Sequence, residues 1–192
     1  MSLKLFRSTG YSSILVPGET RLAPHPFWLV LAVGAWIGFA CNVPLWRELS
    51  GAGTAAQGLG HALTLGLLIA GGVIAVLSLL GWRRTVKPAA SLLLLLAAGV
   101  ASGLWVQSQP VDASLLHRGA TALFPNWATL LTWQVPALLA LLSLPPLLWL
   151  WNTSFRRLPG PRQLGVNVMG ALAGAGLFGG IGLLMASGIL QP

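Results

Sequence analysis

The stretch PAASLLLLLAAGVASGLWVQ, residues Pro88–Gln107, decides the fold class, because it runs for twenty residues without a charged side chain. About twenty apolar residues in a helix cross the hydrocarbon core of a bilayer. The segment from Leu92 to Ala98 does not alternate between apolar and polar residues, so a membrane β-strand is excluded. Backbone polar groups in lipid must be satisfied within their own segment, and this stretch is therefore predicted to be a transmembrane helix.

Four more apolar runs flank this stretch, and the five predicted helices lie at about 27–46, 57–82, 88–107, 127–151 and 164–190. Charged residues make up 7% of the chain and hydrophobic residues 55%, with a mean hydropathy of +0.79. A soluble domain carries roughly 25% charged residues. We expect an all-α polytopic membrane protein with five transmembrane helices in residues 27–192. A polar arm at 1–26 precedes them, and 108–126 form an outer loop.

Basic residues alternate between the two ends of the predicted helices. One side has only Arg47 and Arg118, whereas nine lie on the other, namely Lys4, Arg7, Arg21, Arg83, Arg84, Lys87, Arg156, Arg157 and Arg162. The positive-inside rule then predicts a cytoplasmic N-terminus, so that the arm is cytoplasmic, and a periplasmic C-terminus. Residues predicted to lie at the lipid interface are Trp28, Trp46, Trp82, Arg83, Arg84, Trp149 and Trp151.

Glycine and proline positions suggest how the helices meet. The fifth run carries GxxxG spacings at Gly170, Gly174, Gly176 and Gly180, which allow close helix approach. Two interpretations stay open, packing within this chain or docking of a helix from another membrane protein. Pro145 and Pro146 lie inside the fourth run, which is predicted to bend or break there. Trp36, in the middle of the first run, is expected to pack against another helix or a lipid tail.

The sequence offers few residues for chemistry. It has three acidic residues, three histidines and the single Cys41, and we expect no catalytic residue, no metal and no cofactor. His25 lies at the opposite membrane face from His61 and His117, which disfavours a shared haem or metal ion. The scattered basic residues do not indicate nucleic-acid binding. In the outer loop, candidate functional residues are Asp112, His117 and Arg118.

Several short stretches occur in the order seen in one known family. They are Thr9–Ser13 with Pro17–Glu19 and Pro24–Pro26, Cys41–Trp46, Trp82–Arg84 with Lys87–Pro88, Val111–Asp112 with Leu115–Leu116, and Leu130–Trp133. Over residues 9 to 175 the chain resembles the N-terminal membrane domain of bacterial lipid phosphoethanolamine transferases.

This resemblance implies five transmembrane helices followed by a periplasmic alkaline-phosphatase-like domain. In the family that domain has a threonine nucleophile and zinc, and it moves phosphoethanolamine onto lipid A or related glycans. The sequence reaches Pro192 without such a domain. Where the family usually has Asn, Thr and Glu in the outer loop, a gapless comparison gives Arg118, Ala122 and Asn126. The resemblance therefore supports the fold and argues against activity of these residues alone.

Two hypotheses for function follow. The first is a non-catalytic subunit that packs against and stabilises a larger inner-membrane complex of the respiratory or photosynthetic type, shaping lipid or quinone access. The alternative is a detached or truncated membrane domain of a phosphoethanolamine transferase that binds phospholipid for a catalytic domain absent from these residues. In both, the partners are membrane phospholipids and other integral membrane proteins. The location is the inner membrane of a Gram-negative bacterium.

Overall fold

The computed structural model describes residues 25–50, 56–82, 85–106, 132–153 and 160–187, in which every regular element is helical. The helices are α1 (Pro26–Ala35, continued by a π-helical turn over Trp36–Ala40), α2 (Val43–Ser50), α3 (Ala56–Leu79), α4 (Val86–Val106), α5 (Gln134–Asn152) and α6 (Gly160–Ala186). Of these, α3 to α6 are long and apolar enough to cross a membrane, and α1 is a shorter apolar helix. The predicted all-α membrane fold is confirmed. Most of the N-terminal arm and all of the outer loop lie outside the described residues.

The first apolar run differs from the prediction of one helix over 27–46. His25 caps the start of α1, since its Nδ1 accepts from the Phe27 N–H at 3.3 Å, and Pro26 follows in the first turn. The helix ends at Ala40, and a new helix starts at Val43. Asn42 produces this restart, because its side-chain oxygen accepts from the Leu45 N–H at 3.2 Å in the manner of an N-cap. Pro44 then lies in the first turn of α2, where a missing N–H costs little.

The core of the bundle is built around α3, which packs against α1 on one side and α6 on another. Helix α4 pairs with α5. The two groups meet in one apolar cluster to which four helices contribute buried side chains, among them Leu29, Val33, Leu77, Leu94 and Leu150. Long apolar residues elsewhere on α3 to α6 are exposed, as a surface facing lipid requires.

The glycines of α6 fall into two groups. A Cβ atom on Gly174 would lie 2.5 Å from the Ala75 backbone nitrogen of α3, and one on Gly170 would lie 2.5 Å from Ser78 Oγ. By contrast, a Cβ on Gly176 or Gly180 would have no neighbour within 4 Å. The first two glycines therefore lie at the α3–α6 contact, and the other two face away from it. Whether the outward pair contacts another protein stays a prediction.

Helix α5 runs from Gln134 to Asn152 and includes Pro145 and Pro146, so the helix is not broken at these prolines. A proline at position 146 cannot donate to the Leu142 carbonyl four residues earlier. That carbonyl instead accepts from the Trp36 indole N–H at 2.9 Å. The mid-span tryptophan thus packs against another helix, one of the two expected environments, and supplies a donor that Pro146 lacks.

Candidate functional site

The first of two polar sites lies at the end of the bundle formed by α2, the start of α3 and the end of α4. Asn42 is buried, and its side-chain N–H donates to the Ala62 carbonyl of α3 at 2.8 Å. The Arg47 guanidinium donates to the Leu104 carbonyl of α4 at 2.6 Å. Carbonyls in the last turn of a helix have no partner within that helix, and a cation is favourable there. These two side chains therefore tie α2 to both neighbouring helices.

Apolar contacts complete this end of the bundle. Val43, Ala101 and Leu104 form a small buried cluster, with Leu142 packed against it. The Trp46 indole N–H donates to the Ala40 carbonyl at 3.1 Å, while 48% of the side chain stays exposed. His61 is also exposed at this end. We call this assembly of α2 with the adjoining ends of α3 and α4 the α2 platform. The positive-inside rule predicts that it lies on the periplasmic side.

We expect Asn42→Ala to loosen the α2 platform, at a cost of about 1 kcal/mol, because it removes a helix cap and a hydrogen bond to α3. Cys41, the only cysteine of the chain, lies next to this position and is partly buried. Its labelling by a maleimide should therefore become several-fold faster in the variant. The assay is a labelling time course on the full chain in mild detergent.

Thr64→Val provides the control for this experiment, because the Thr64 hydroxyl donates to the Gly60 carbonyl of its own helix and not to α2. Its Cys41 labelling should match that of the natural sequence. Asn42→Ser keeps an acceptor that suits an N-cap and should give an intermediate rate. Equal labelling rates in Asn42→Ala and Thr64→Val would show that Asn42 does not hold α2 in place.

The second polar site lies at the opposite end of α4, where α4 begins and α5 ends. The Lys87 ammonium donates to the Thr153 carbonyl at 3.0 Å and lies 5.7 Å from the centre of the Trp151 ring. The Trp151 indole N–H donates to Ser91 Oγ at 3.1 Å, and that hydroxyl donates to the Lys87 carbonyl at 2.9 Å. We call these four residues the Lys87 cluster. It fixes the end of α5 to the start of α4.

A third set of hydrogen bonds joins α6 to the segment between α3 and α4. The Gln163 amide donates to the Gly81 carbonyl at 2.9 Å and to Asn167 Oδ1 at 3.0 Å. Asn167 is buried, with 9% of its surface exposed. A buried amide is costly in lipid unless it is bonded, so this contact holds the start of α6 against the end of α3.

The structure places the predicted interface tryptophans near helix ends. Their exposed fractions are 63% for Trp28, 48% for Trp46, 53% for Trp82, 42% for Trp149 and 62% for Trp151. Arg83 and Arg84, and the outer-loop candidates Asp112, His117 and Arg118, lie outside the described residues. The residues that position α2, Asn42 and Arg47, were missed. An asparagine two residues before a proline is a helix-start signal that could have revealed Asn42.

Metal-binding side chains do not gather anywhere in the part of the chain that the structure describes. Within it, no three histidine, cysteine, aspartate or glutamate side chains lie close enough to hold an ion. The polar contacts at both ends consist of amide, hydroxyl, ammonium, guanidinium and indole donors facing carbonyl or hydroxyl oxygens. These contacts fix the helices relative to one another.

Together, the apolar helices and the polar sites at their ends define a multi-pass membrane domain. The chain belongs to the family described as phosphoethanolamine transferase EptA/EptB, whose model matches residues 69–190, more than half of the sequence. The matched part is the N-terminal membrane domain of that family. No curated protein and no solved structure matches the chain.

The family match separates the two functional hypotheses. It supports the alternative, a membrane domain of a phosphoethanolamine transferase, and it confirms the resemblance drawn from the short sequence motifs. It gives no support to a subunit of a respiratory or photosynthetic complex. The match begins at Ile69, so α1, α2 and the α2 platform residue Asn42 lie before the matched region.

Proposed function

We propose that this chain is the membrane domain that presents a phospholipid to a phosphoethanolamine-transferring catalytic domain. The observation that carries the proposal is the family match over residues 69–190. The catalytic domain belongs either to the same polypeptide or to a separate one. The location is the inner membrane of a Gram-negative bacterium, and the phospholipid is a phosphatidylethanolamine, since this lipid carries the group to be transferred.

The α2 platform is the part of the described chain that suits docking of that domain. Positive-inside counting predicts the periplasmic side for this end of the bundle and for the C-terminus. Hydrogen bonds from Asn42 and Arg47 hold α2 across the ends of two transmembrane helices. A short helix fixed in this way presents exposed Trp46 and Leu49 at the membrane surface, where an amphipathic surface contacts headgroups and a peripheral domain together.

Photocrosslinking in native membranes tests this function. A benzophenone amino acid in place of Trp46 should capture the catalytic domain and phosphatidylethanolamine, because Trp46 lies on the α2 platform. The same amino acid in place of Trp82, at the opposite end of α3, should capture lipid only. Both tryptophans are about half exposed, which makes them matched positions. The adducts are identified by mass spectrometry.

Capture of a phosphoethanolamine transferase domain from Trp82 alone, or from neither position, would overturn the proposal. Recovery of respiratory or photosynthetic subunits from Trp46 would favour the first hypothesis instead. A link from Trp46 to a catalytic domain supports the proposal whether that domain belongs to the same polypeptide or to another protein. The two outcomes differ only in which polypeptide carries the catalytic domain.

A further inference from the structure

Helix α6 is fixed to α3 from its start as far as Phe178. The Gln163 amide donates to the Gly81 carbonyl at the end of α3 at 2.9 Å. Close approach of the two backbones extends to Phe178, whose nitrogen would lie 2.9 Å from a Cβ on Gly71. The buried residues of α6 all lie in this part of the helix, and they are Asn167, Gly170 and Gly174.

The stretch of α6 around and after Phe178 is rich in glycine. Four of the seven residues from 176 to 182 are glycines, namely Gly176, Gly179, Gly180 and Gly182. A Cβ on any of these four would have no neighbour within 4 Å. From 179 to 186 no residue of α6 is buried. These four glycines are therefore not required for close approach to α3, in contrast to Gly170 and Gly174.

The same four glycines do not form one contact face. At about 100° per residue, they span about 160° of the circumference of the helix. A GxxxG contact uses a single row of residues four positions apart, and only Gly176 and Gly180 have that spacing. Glycine is also a poor helix former because its backbone has the most freedom, and helices bend at pairs of small residues such as Gly179–Gly180. Backbone freedom therefore explains this composition better than packing does.

We propose that residues 176–182 form a hinge in α6, at which the end of the helix changes direction while the part before it stays packed on α3. The motion breaks no buried contact, because α6 has no buried residue after Gly174 in its described part. Positive-inside counting predicts the periplasmic side for this end of α6. The hinge thus adjusts the position of the catalytic domain relative to the bundle. That last step rests on the function proposed above, whereas the hinge is a property of α6 itself.

Distances between two spin labels, measured by pulsed electron resonance, test the hinge on the full chain in lipid nanodiscs. One label pair is Leu183→Cys with Leu92→Cys on α4, and the other is Leu172→Cys with Leu92→Cys. Leu172 and Leu183 are both exposed and lie on the same face of α6, on opposite sides of the hinge. Cys41→Ser removes the only natural thiol. The distribution of distances should be about twice as wide for the Leu183 pair.

Alanine in place of the glycine pair should stiffen the hinge. Gly179→Ala combined with Gly180→Ala adds two methyl groups that have open space, and it raises the helix propensity. The distribution for the Leu183 pair should then narrow by about half, to the width of the other pair. Gly165→Ala is the matched control, because a Cβ there also has no neighbour within 4 Å but lies in the part of α6 fixed to α3. It should change neither distribution.

Hydrogen exchange of the natural chain gives a second readout that needs no substitution. The backbone amides of 176–182 should exchange several-fold faster than those of 166–172. Equal widths for the two label pairs, equal exchange in the two segments, or no narrowing with the two alanines would each overturn the proposal, and helix docking would then be the role left to these glycines. The capture experiment at Trp46 is independent, since its failure would overturn the proposed function and leave the hinge.

Discussion

Gly174→Leu should separate α6 from α3 and lower the free energy of unfolding in detergent by about 3 kcal/mol. A Cβ at this position would lie 2.5 Å from the Ala75 nitrogen and 2.7 Å from the Gly71 carbonyl oxygen. Both neighbours are backbone atoms of α3, so no side chain can move aside to make room. Helices in lipid associate largely through close packing, and separating the two backbones removes that contact.

Gly176→Leu is the control for this prediction. Gly176 lies two residues further along the same helix, and a Cβ there would have no neighbour within 4 Å. The same change in volume and helix propensity should therefore leave the stability within about 0.5 kcal/mol of the natural chain. Thermal unfolding of both variants, followed by far-ultraviolet circular dichroism, compares them directly. Equal losses would show that leucine itself, rather than the contact with α3, is responsible.

The glycines of α6 show how far the sequence could predict the packing. GxxxG spacing marked Gly170, Gly174, Gly176 and Gly180 alike as places where a helix can approach closely, whereas in the structure only Gly170 and Gly174 lie against α3. Gly170 and Gly176 are six residues apart, which corresponds to a rotation of about 600° around the helix axis, or 240° beyond one full turn. The pair Gly170 and Gly174 therefore cannot share a face with the pair Gly176 and Gly180. Helical geometry could have separated the pairs. It could not have told which face meets α3, because that depends on residues about a hundred positions away.

The break in the first apolar run shows a second limit. Hydropathy is averaged over many residues, and it continues smoothly from Phe27 to Trp46. The helix nevertheless restarts after Asn42, since one buried amide caps α2 and bonds to α3 at the same time. The cap at the start of α2 could be predicted from the Asn-Val-Pro order of residues 42–44. The hydrogen bond from Asn42 to the Ala62 carbonyl could not be predicted, because it depends on the packing of α2 across α3.

The polar contacts at the two ends of α4 show a third limit of prediction from the sequence. The sequence predicted interfacial tryptophans and an excess of basic residues on one side, which are properties of composition near helix ends. It did not identify the Lys87 contact with Trp151 or the Arg47 contact with Leu104, which join residues more than fifty positions apart. The two contacts are separated along α4 by about 26 Å, close to the roughly 30 Å of a hydrocarbon core.

Trp36→Phe should lower the free energy of unfolding by about 2 kcal/mol, because it leaves the Leu142 carbonyl without its indole donor. Pro146 cannot supply the N–H that a helix would normally direct to this carbonyl. The carbonyl therefore depends on the 2.9 Å bond from Trp36. In hydrocarbon no water replaces a lost donor, so the penalty is not relieved by solvent. Chemical unfolding in mild detergent measures the loss.

A double-mutant cycle tests whether the proline creates this dependence. Pro146→Ala restores an N–H that can donate to the Leu142 carbonyl within α5. In that background Trp36→Phe should cost about 1 kcal/mol less than it does in the natural chain. Pro145→Ala is the control, because its restored N–H would face the Leu141 carbonyl. The Trp36 indole donates to a different carbonyl, that of Leu142.

The cost of Trp36→Phe should therefore stay unchanged in the Pro145→Ala background. Each background introduces alanine in the same stretch of α5, so general effects of removing a proline cancel in the comparison. Loss of indole volume is also the same in both. If Trp36→Phe costs the same with alanine at 145 as at 146, the bond to Leu142 does not compensate for Pro146. Trp36 would then stabilise the bundle through the apolar contacts of its ring alone.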